Sequence, residues 1–337
     1  MPIPTDFRQR ITEYLEAVTG SPVEIISLQT MAGGASRDTW LIHMRAQGQE
    51  ERLVLRRDLP TSMLDRTLDR EQEFALMTAA HAAGVRVPQP RWFCSEPHIL
   101  GEPFLIYGYV EGVSLGAQVV SRPELAEARR RLPEQMGEQL ARIHRMDAAS
   151  FDFLPGPRPG YSPAQEAVLQ VRAMLIRLGV QNPTLAFGVR WVERHLPAGG
   201  EAVLLHGDFR VGNFIVSESG LNGIVDWEFS RLGDPCEELA WPCLRDWRYG
   251  NGSLRLGGIG QREPFIQAYE RASGRTIDRK IVDFWEILGN LRWAVTALSQ
   301  ANRHLAQGET SVELASLGRR SAEMQLEMLR LIAEQGV

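Results

Sequence analysis

Residues 203–241 hold acidic and amide side chains at spacings that could perform chemistry. Two short apolar runs around a turn at residues 218–220 predict a β-hairpin. Asp208 and Asn213 precede the first run, and Asp226 follows the second. Because a hairpin brings its two ends together, we expect two carboxylates and an amide to meet at one edge. Such oxygens suit Mg²⁺, and a carboxylate can also act as a base.

The same spacing occurs in the catalytic loop of protein kinases, H-R-D-x-x-x-x-N, which is followed by a metal-binding Asp in D-F-G. Here His206-Gly207-Asp208 is separated from Asn213 by four residues, and Asp226-Trp227-Glu228 stands at the D-F-G position. The longer phrase, HGDFRVGN followed by IVDWEFSRLGDPCEELAW, resembles the aminoglycoside phosphotransferase family, the small-molecule branch of the kinase-like fold. It is most similar to a bacterial and mitochondrial subgroup that includes kinase-like domains fused to some acyl-CoA dehydrogenases.

The resemblance implies a role for each polar residue of this stretch. Asp208 would take the proton of a substrate hydroxyl, and Asn213 and Asp226 would hold Mg²⁺ between the phosphates of ATP. Arg210 would stabilise charge that develops on the γ-phosphate, and His206 would brace the loop through hydrogen bonds.

Three further polar residues have less certain roles. Asp234 precedes Pro235 and predicts a helix N-cap, and the resemblance implies that its carboxylate also braces the catalytic loop. Glu228 could bind the metal or support its ligands, and both remain open. His144 is interpreted as structural rather than catalytic.

A glycine-rich turn near the N-terminus could bind phosphate. Gly33, Gly34 and Ser36 lie between two predicted strands, where backbone N–H groups can approach phosphates closely. The resembling family often has Gly-Gly-x-Ser at this place. An ordinary hairpin turn remains the alternative.

The strand over residues 51–57 should supply the cation for the α- and β-phosphates. Lys280 is the only lysine of the chain, so an arginine must take the role that kinases usually give to a lysine. Position four of the kinase V-A-I-K motif aligns with Arg56. Side chains alternate along a strand, so Arg57 should point to the opposite face.

The predicted helix over residues 64–83 should provide the carboxylate that pairs with Arg56. Glu71 and Glu73 are both candidates. Counting back from Val87-Pro88, as the family pattern implies, favours Glu73 and leaves Glu71 on the solvated face.

The segment over residues 104–112 resembles the family's hinge between its two lobes. That resemblance implies that Tyr107 is the gatekeeper. The backbone of Gly108, Tyr109 and Val110 would then form the edge that hydrogen-bonds adenine. Gly108 replaces a usual acid, but a backbone contact does not depend on the side chain.

The order of these elements predicts an α+β protein with a bilobal, protein-kinase-like fold. The small β-rich N-lobe would be residues 1–110, which bind the nucleotide. The larger, mainly helical C-lobe would be residues 111–337, which supply catalysis and acceptor binding. The helices expected in the C-lobe cover residues 134–144, 162–178, 185–195, 235–247, 263–272, 278–306 and 311–334.

The composition excludes several classes of protein. The 337 residues are 44% hydrophobic and 23% charged, with a net charge of −5 and a pI of about 5.9, so no nucleic-acid-binding surface is expected. No apolar run is long enough for a membrane span, and the N-terminus lacks a secretory signal. We therefore expect a cytoplasmic protein. Its three cysteines should be buried free thiols.

The acceptor is the least determined part of the hypothesis. Arginines and tryptophans of the C-terminal part suggest an anionic or partly apolar hydroxylated metabolite, for example a hydroxyacyl thioester. A solvated helix face would explain the arginines equally well. An aminoglycoside, a sugar or an amino alcohol is the alternative acceptor. The arginines are Arg245, Arg248, Arg255, Arg292 and Arg303, and the tryptophans are Trp241, Trp247, Trp285 and Trp293.

Two other functional classes are alternatives for this sequence. A protein kinase needs an activation segment of about twenty residues before A-P-E, and Gly233 follows Asp226 too closely for one. A non-catalytic nucleotide-binding module remains possible, and an Asp208→Asn substitution would distinguish it. The sequence does not indicate the oligomeric state.

Overall fold

The structure is a computed structural model that describes residues 5–31, 37–58, 67–306 and 312–336. The described strands are β1 Val23–Thr30, β2 Arg37–Ala46, β3 Gln49–Asp58, β4 Pro90–Cys94, β5 Phe104–Gly108, β6 Val203–Leu205, β7 Phe214–Ser217, β8 Gly220–Ile224 and β9 Arg231–Gly233. The described helices are α1 Thr5–Thr19, α2 Arg70–Ala82, α3 Pro97–Leu100, α4 Gly116–Ser121, α5 Ala126–Ile143, α6 Pro163–Leu178, α7 Pro183–Arg194, α8 Pro235–Ala240, α9 Arg262–Ser273, α10 Arg279–Ala306 and α11 Val312–Glu334.

The chain folds into two compact units. Met1–Gly112 together with Asn222–Phe229 form the first, which we call the N-terminal unit. Val113–Leu221 together with Ser230–Val337 form the second, the C-terminal unit. The first holds an antiparallel sheet in the order β1-β2-β3-β5-β4, and the second is mostly helical. The predicted α+β class is therefore confirmed.

The sheet of the N-terminal unit has two different faces. Helix α1 repeats apolar residues at Phe7, Ile11 and Leu15, and this stripe packs against one face of the sheet in a common core. Leu53 and Leu55 of β3 belong to that core. Side chains alternate along a strand. Arg56, which directly follows Leu55, therefore points to the opposite face of the sheet.

Helix α2 begins later than the sequence pattern predicted. The Asp69 side chain accepts a hydrogen bond from the Gln72 N–H, and the Gln72 side chain bonds back to the Asp69 N–H. This capping box satisfies amide groups that the first helical turn leaves unpaired, so the helix begins at Arg70. Residues 67–69 are not helical, and residues 61–66 lie outside the described chain.

Two helix boundaries of the C-terminal unit also differ from prediction. The helix expected over residues 235–247 ends at Ala240 and continues as short 3₁₀ turns, because Pro242 cannot supply the N–H that a longer α-helix needs. The helix expected over residues 134–144 already begins at Ala126 and includes Pro133.

The helices of the C-terminal unit form two tight pairs. Helix α5 contacts α9 at Gly137, where an added Cβ would lie 2.6 Å from the Phe265 carbonyl oxygen. Only a glycine permits that approach. Helices α10 and α11 form the second pair. The short strand β6 pairs with β9 and leads into the loop over residues 206–213.

The structure also describes the three cysteines and the apolar character of the helices. Cys94, Cys236 and Cys243 are buried free thiols, as predicted. No helix in the described ranges is long and apolar enough to cross a membrane.

Candidate functional site

Arg56 links two carboxylates within the N-terminal unit. Its Nη1 donates to Glu73 Oε1 at 3.4 Å, and its Nη2 donates to Asp226 Oδ1 at 2.8 Å. Arg57 instead lies on the α1 face of the sheet, with its guanidinium 5.4 Å from the Phe7 ring centre. The arginine that faces Glu73 and Asp226 is thus Arg56, on the side expected from strand alternation.

The two carboxylates keep Arg56 charged. Burial alone would lower the pKa of Arg56, but the charges of Glu73 and Asp226 outweigh burial and raise it above its usual value. A permanent cation is therefore fixed next to Asp226, where a phosphate-binding residue would be needed.

Glu73 also pairs with Arg70, which sequence reasoning missed. Arg70 Nη1 donates to Glu73 Oε2, and its Nη2 lies 3.5 Å from Glu228 Oε2. Glu71 is exposed, in agreement with the preference for Glu73. The available signal for Arg70 was its i, i+3 spacing from Glu73 at the start of α2.

These contacts form one connected series, which we call the ion-pair chain: Asp226, Arg56, Glu73, Arg70 and Glu228. The ion-pair chain contains three carboxylates and two arginines, so these five side chains together carry one excess negative charge. Asp226 is its more accessible end, with a side chain 26% exposed, whereas Glu228 is nearly buried beside Arg70. The Glu228 carboxylate thus helps to neutralise a buried arginine, and its role at a metal site stays a prediction.

The backbone at Asp226 is unusual. Its φ angle is +75°, a left-handed conformation that non-glycine residues rarely adopt. The following N–H, of Trp227, donates to Glu73 Oε1 at 3.2 Å, and the Trp227 ring is fully buried. Strained backbone of this kind persists where the surroundings fix it, often at functional sites.

The three backbone N–H groups of the predicted adenine edge differ in whether they have a hydrogen-bond partner. The Gly108 N–H donates to the Gln89 carbonyl at 2.8 Å, and the Tyr109 N–H donates to the Arg52 carbonyl at 2.9 Å. Val110 N–H makes no hydrogen bond within the described ranges. The first two N–H groups thus complete the sheet edge, and the role of the backbone of Gly108, Tyr109 and Val110 as the adenine edge stays a prediction.

Three predicted phosphate contacts are not described. Gly33, Gly34 and Ser36 lie outside the described residues. Their role remains a prediction.

Asp208 lies in the loop after β6, in the C-terminal unit, and is 8% exposed. Arg210 Nε donates to both carboxylate oxygens at 2.9 and 3.1 Å. Asn213 Nδ2 donates to Oδ2 at 2.6 Å, and Trp241 Nε1 donates to Oδ1 at 2.7 Å. These three donors make four contacts, two on each carboxylate oxygen, so they orient the carboxylate of a side chain that is still slightly exposed.

Asn213 is suited to hold a metal through its amide oxygen. Its Nδ2 donates to the Asp208 carbonyl oxygen and to the Asp208 carboxylate, which uses both amide hydrogens. Its Oδ1 has no partner in the part of the chain that the structure describes. There, no group of three His, Cys, Asp or Glu side chains could hold a metal. An amide oxygen together with a carboxylate is a donor set that fits Mg²⁺.

Asp226 belongs to the N-terminal unit, whereas Asp208 and Asn213 belong to the C-terminal unit. The two groups are described separately, and their convergence on one ion remains a prediction.

The loop over residues 206–213 is braced by Glu238, a residue that sequence reasoning missed. The backbone N–H groups of His206 and Gly207 donate to its two oxygens at 2.9 and 2.6 Å. The Asp208 N–H donates to His206 Nδ1 at 3.2 Å. Asp234, to which the resemblance gave this role, accepts from the Cys236 N–H and caps α8 instead. Its position at the start of the helix keeps its carboxylate on the first turn.

His144 has the structural position that was expected. Its ring nitrogens lie 3.0 Å from Glu238 Oε2 and 2.9 Å from the Tyr269 hydroxyl. The ring therefore holds the brace and does not face a substrate-accessible surface, being 4% exposed.

Arg210 is held between the Asp208 carboxylate and an aromatic ring. Its guanidinium carbon lies 4.1 Å from the Trp247 ring centre. Gly212 makes this arrangement possible, with a φ of +112° and with Arg210 Nη1 only 2.6 Å from where a Cβ would stand. Cation–π stacking leaves the guanidinium charged and oriented.

Most arginines expected to bind an anionic acceptor are neutralised internally. Arg303 bonds Gln300, and Trp285 packs against Phe284 rather than with the other tryptophans. Arg245 has no carboxylate partner among the described residues. The argument from charge for an anionic acceptor is therefore weaker for three of the five, because carboxylates already neutralise them. The three arginines with carboxylate partners are Arg248 with Glu286 and Glu327, Arg255 with Glu286 and Asp283, and Arg292 with Glu237.

Sequence comparison relates the chain to two groups of proteins. The family model "APH: Phosphotransferase enzyme family" matches residues 27–285. Acyl-CoA dehydrogenase family member 10 of Mus musculus is 31% identical over 255 residues, which cover 72% of this chain and 22% of that protein. Acyl-CoA dehydrogenase family member 11 of Gallus gallus is 26% identical over 330 residues, which cover 93% of this chain and 41% of that protein. The chain thus spans less than half the length of these curated relatives.

Structural comparison confirms the predicted kinase-like fold. A protein of Ralstonia eutropha JMP134 superposes with a TM-score of 0.74 at 20% identity, over 97% of this chain and 98% of that one. Spectinomycin phosphotransferase APH(9)-Ia, solved with ADP and spectinomycin, gives 0.61 at 16% identity, over 97% and 99%. A choline/ethanolamine kinase family protein of Mesorhizobium loti gives 0.62 at 19% identity, over 97% and 98%.

Proposed function

This chain belongs to the phosphotransferase enzyme family, and from that premise we propose that it is an ATP-dependent kinase of a small hydroxylated molecule. The observation that supports the proposal most directly is Arg56 between Glu73 and Asp226. Kinases require a strand cation, a helix carboxylate that orients it and an aspartate for the metal. The sequence matches also bear out the predicted subgroup that includes acyl-CoA dehydrogenase family members.

Nucleotide binding is assigned to residues 1–110, and catalysis with acceptor binding to residues 111–337. Arg56, oriented by Glu73, would hold α- and β-phosphate oxygens, and Val110 N–H would donate to adenine. Asp226 and the Asn213 amide oxygen would hold Mg²⁺, which supplies neutralisation of phosphate charge when bound. Gly33, Gly34 and Ser36 would approach the phosphates through their backbone.

Asp208 is proposed as the base. Its carboxylate would accept a hydrogen bond from the acceptor hydroxyl and then take its proton. The hydroxyl oxygen bonds to the γ-phosphorus while the bond from that phosphorus to the β–γ bridging oxygen breaks, so ADP leaves. Arg210 would stabilise the charge on the transferred group, and His206 would keep the loop in place through the Asp208 N–H.

The acceptor class is proposed from the relatives. Two relatives are named acyl-CoA dehydrogenase family members, and a hydroxyacyl thioester is a substrate that such proteins could share with a kinase. The paired arginines weaken the argument from charge alone. Because a structural neighbour is a choline/ethanolamine kinase family protein, an amino alcohol is the second candidate, and an aminoglycoside is the third.

The test is ADP release by the purified protein. MgATP is supplied together with a hydroxyacyl-CoA thioester, with choline or with spectinomycin in separate reactions. We expect the thioester to stimulate ADP release. Stimulation by spectinomycin alone would replace the proposed acceptor class but keep the reaction.

The Asp208→Asn variant tests the base. We expect its turnover to fall by about 10²–10⁴-fold, since the base acts only on the acceptor proton. Its affinity for ATP, measured by calorimetry, should stay unchanged. Undiminished turnover would contradict the proposed reaction and favour a non-catalytic nucleotide-binding module.

A further inference from the structure

Trp241 is the one donor to the Asp208 carboxylate, among those described, that does not belong to the catalytic loop. We propose that Trp241 is a positioning residue for phosphotransfer, whose indole N–H orients the Asp208 carboxylate toward the acceptor hydroxyl. This inference rests on the proposed function, in which Asp208 is the base. Sequence reasoning had assigned Trp241 only apolar surface.

The three donors to Asp208 differ in what they are attached to. Arg210 and Asn213 are two and five residues away on the same loop, so they move with Asp208 when the loop moves. Trp241 is 33 residues away and donates at 2.7 Å from the turn that follows α8. Its hydrogen bond therefore ties the carboxylate to the helical framework of the C-terminal unit.

Trp241 is itself held firmly. It is 8% exposed and packs in one cluster with Leu244, Trp247 and Trp293. The guanidinium of Arg292 lies 4.5 Å from its ring centre, and Arg292 is anchored to Glu237 at 2.6 Å. A cation over the indole face also draws electron density from the ring, which makes the N–H a stronger donor.

The same stretch of chain attaches the loop a second time. Glu238, three residues before Trp241, accepts from the backbone N–H groups of His206 and Gly207. Glu238 therefore fixes the main chain of the loop, and Trp241 fixes the side chain that acts as base. Main-chain attachment alone would leave the Asp208 carboxylate free to rotate about its side-chain bonds.

A kinetic comparison separates positioning from space filling. Trp241→Phe keeps most of the ring and removes the N–H. Trp191→Phe is the matched control, because Trp191 is a buried indole of the same unit whose Nε1 has no partner within the described ranges. ADP release is measured with MgATP and with water as the acceptor, so no acceptor needs to be identified.

We expect kcat of Trp241→Phe to fall about 10-fold while the KM for ATP stays within a factor of two, as for a lost orienting hydrogen bond. Trp191→Phe should match the wild type in both constants. Equal kcat in the two variants, with an active wild type, would overturn the role of Trp241 and leave the proposed function intact. No ADP release by the wild type, with water or any acceptor, would overturn the proposed function itself.

A spectroscopic measurement does not depend on turnover or on the folding of a tryptophan variant. The indole ¹H–¹⁵N signal of Trp241, in protein labelled with ¹⁵N-tryptophan, should shift in Asp208→Asn, because its acceptor loses the negative charge. The signal of Trp191 should not move. An unmoved Trp241 signal would overturn the proposal, whether or not the protein is active.

Discussion

The ion-pair chain of the N-terminal unit and the loop over residues 206–213 of the C-terminal unit hold their carboxylates by different means. In the ion-pair chain, Glu73 lies between two arginines, Arg56 and Arg70. In the loop, Asp208 receives one charged donor, Arg210, and two neutral donors, Asn213 and Trp241. Carboxylates are thus paired only with cations in the ion-pair chain, whereas Asp208 combines one cation with two neutral N–H donors.

The difference fits the role proposed for each region. A phosphate clamp needs a permanent cation, and burial between carboxylates keeps Arg56 charged. A base needs a carboxylate that can still take a proton, and each additional cation next to it would oppose protonation. Neutral N–H donors fix its direction at a smaller electrostatic cost. We therefore expect substitutions in the ion-pair chain to affect stability first, and substitutions around the loop to affect turnover first.

Glu73→Gln should give the largest loss of stability. It leaves Arg56 and Arg70 buried with one carboxylate fewer between them, and removing one partner of a buried ion pair costs about 3–5 kcal/mol. Urea unfolding of the variant and the wild type measures the change. A loss below that of the Glu238 variant described next would contradict the proposed difference between the two regions.

Glu238→Gln should have an intermediate effect on stability and a clear effect on turnover. The loop N–H groups of His206 and Gly207 lose a charged acceptor, and a hydrogen bond to a charged group contributes about 1.5–3 kcal/mol. We expect the free energy of unfolding to fall by about 2 kcal/mol and kcat to fall more than the KM for ATP rises. Unchanged kcat would show that the loop does not need this brace.

Gly212→Ala should cost less stability and still disturb the loop. Its φ of +112° suits glycine alone, and the new methyl group would meet Arg210 Nη1 and the Tyr249 hydroxyl. Because Arg210 is flexible enough to move, we expect about 1–2 kcal/mol of destabilisation, together with lower kcat. Thermal unfolding and ADP release measure the two effects. Wild-type values in both would contradict the close packing around Arg210.

Glu71→Gln should have the smallest effect and serves as the control for Glu73→Gln. Glu71 is on the same helix, two residues away and exposed. Exposed substitutions usually change stability by less than about 0.5 kcal/mol. A loss comparable to that of Glu73→Gln would mean that the wrong glutamate was assigned to Arg56.

Local rules of the chain predicted several parts of the site. Alternation along β3 distinguished Arg56 from Arg57, and the distance to Val87-Pro88 distinguished Glu73 from Glu71. The spacing of His206, Asp208 and Asn213 placed these residues in one loop. Such features depend on neighbours in sequence, and strand and turn geometry is nearly independent of the rest of the protein.

Contacts between distant segments were not predictable in the same way. Arg70, Glu238 and Trp241 were missed because each looks ordinary in its own segment, as a helix-start arginine, a helix glutamate and an apolar ring. The arginines near the C-terminus suggested an anionic acceptor because they look unpaired in their own segments. Their carboxylate partners lie far away in sequence, so their charges appeared available.

By itself, the sequence determined the family, the α+β class and the residue types that could clamp phosphate and accept a proton. The class follows from local patterns of residues, whereas the family and the residue roles follow from the motifs in which this sequence resembles the family. Only the tertiary structure decided which partners hold these residues in place. Arg70 pairs with Glu73, Glu238 accepts from the backbone of the loop, and Trp241 donates to Asp208. The physical reason is that a buried charge or dipole takes its partner from whatever segment packs beside it, and that choice is made by the whole fold.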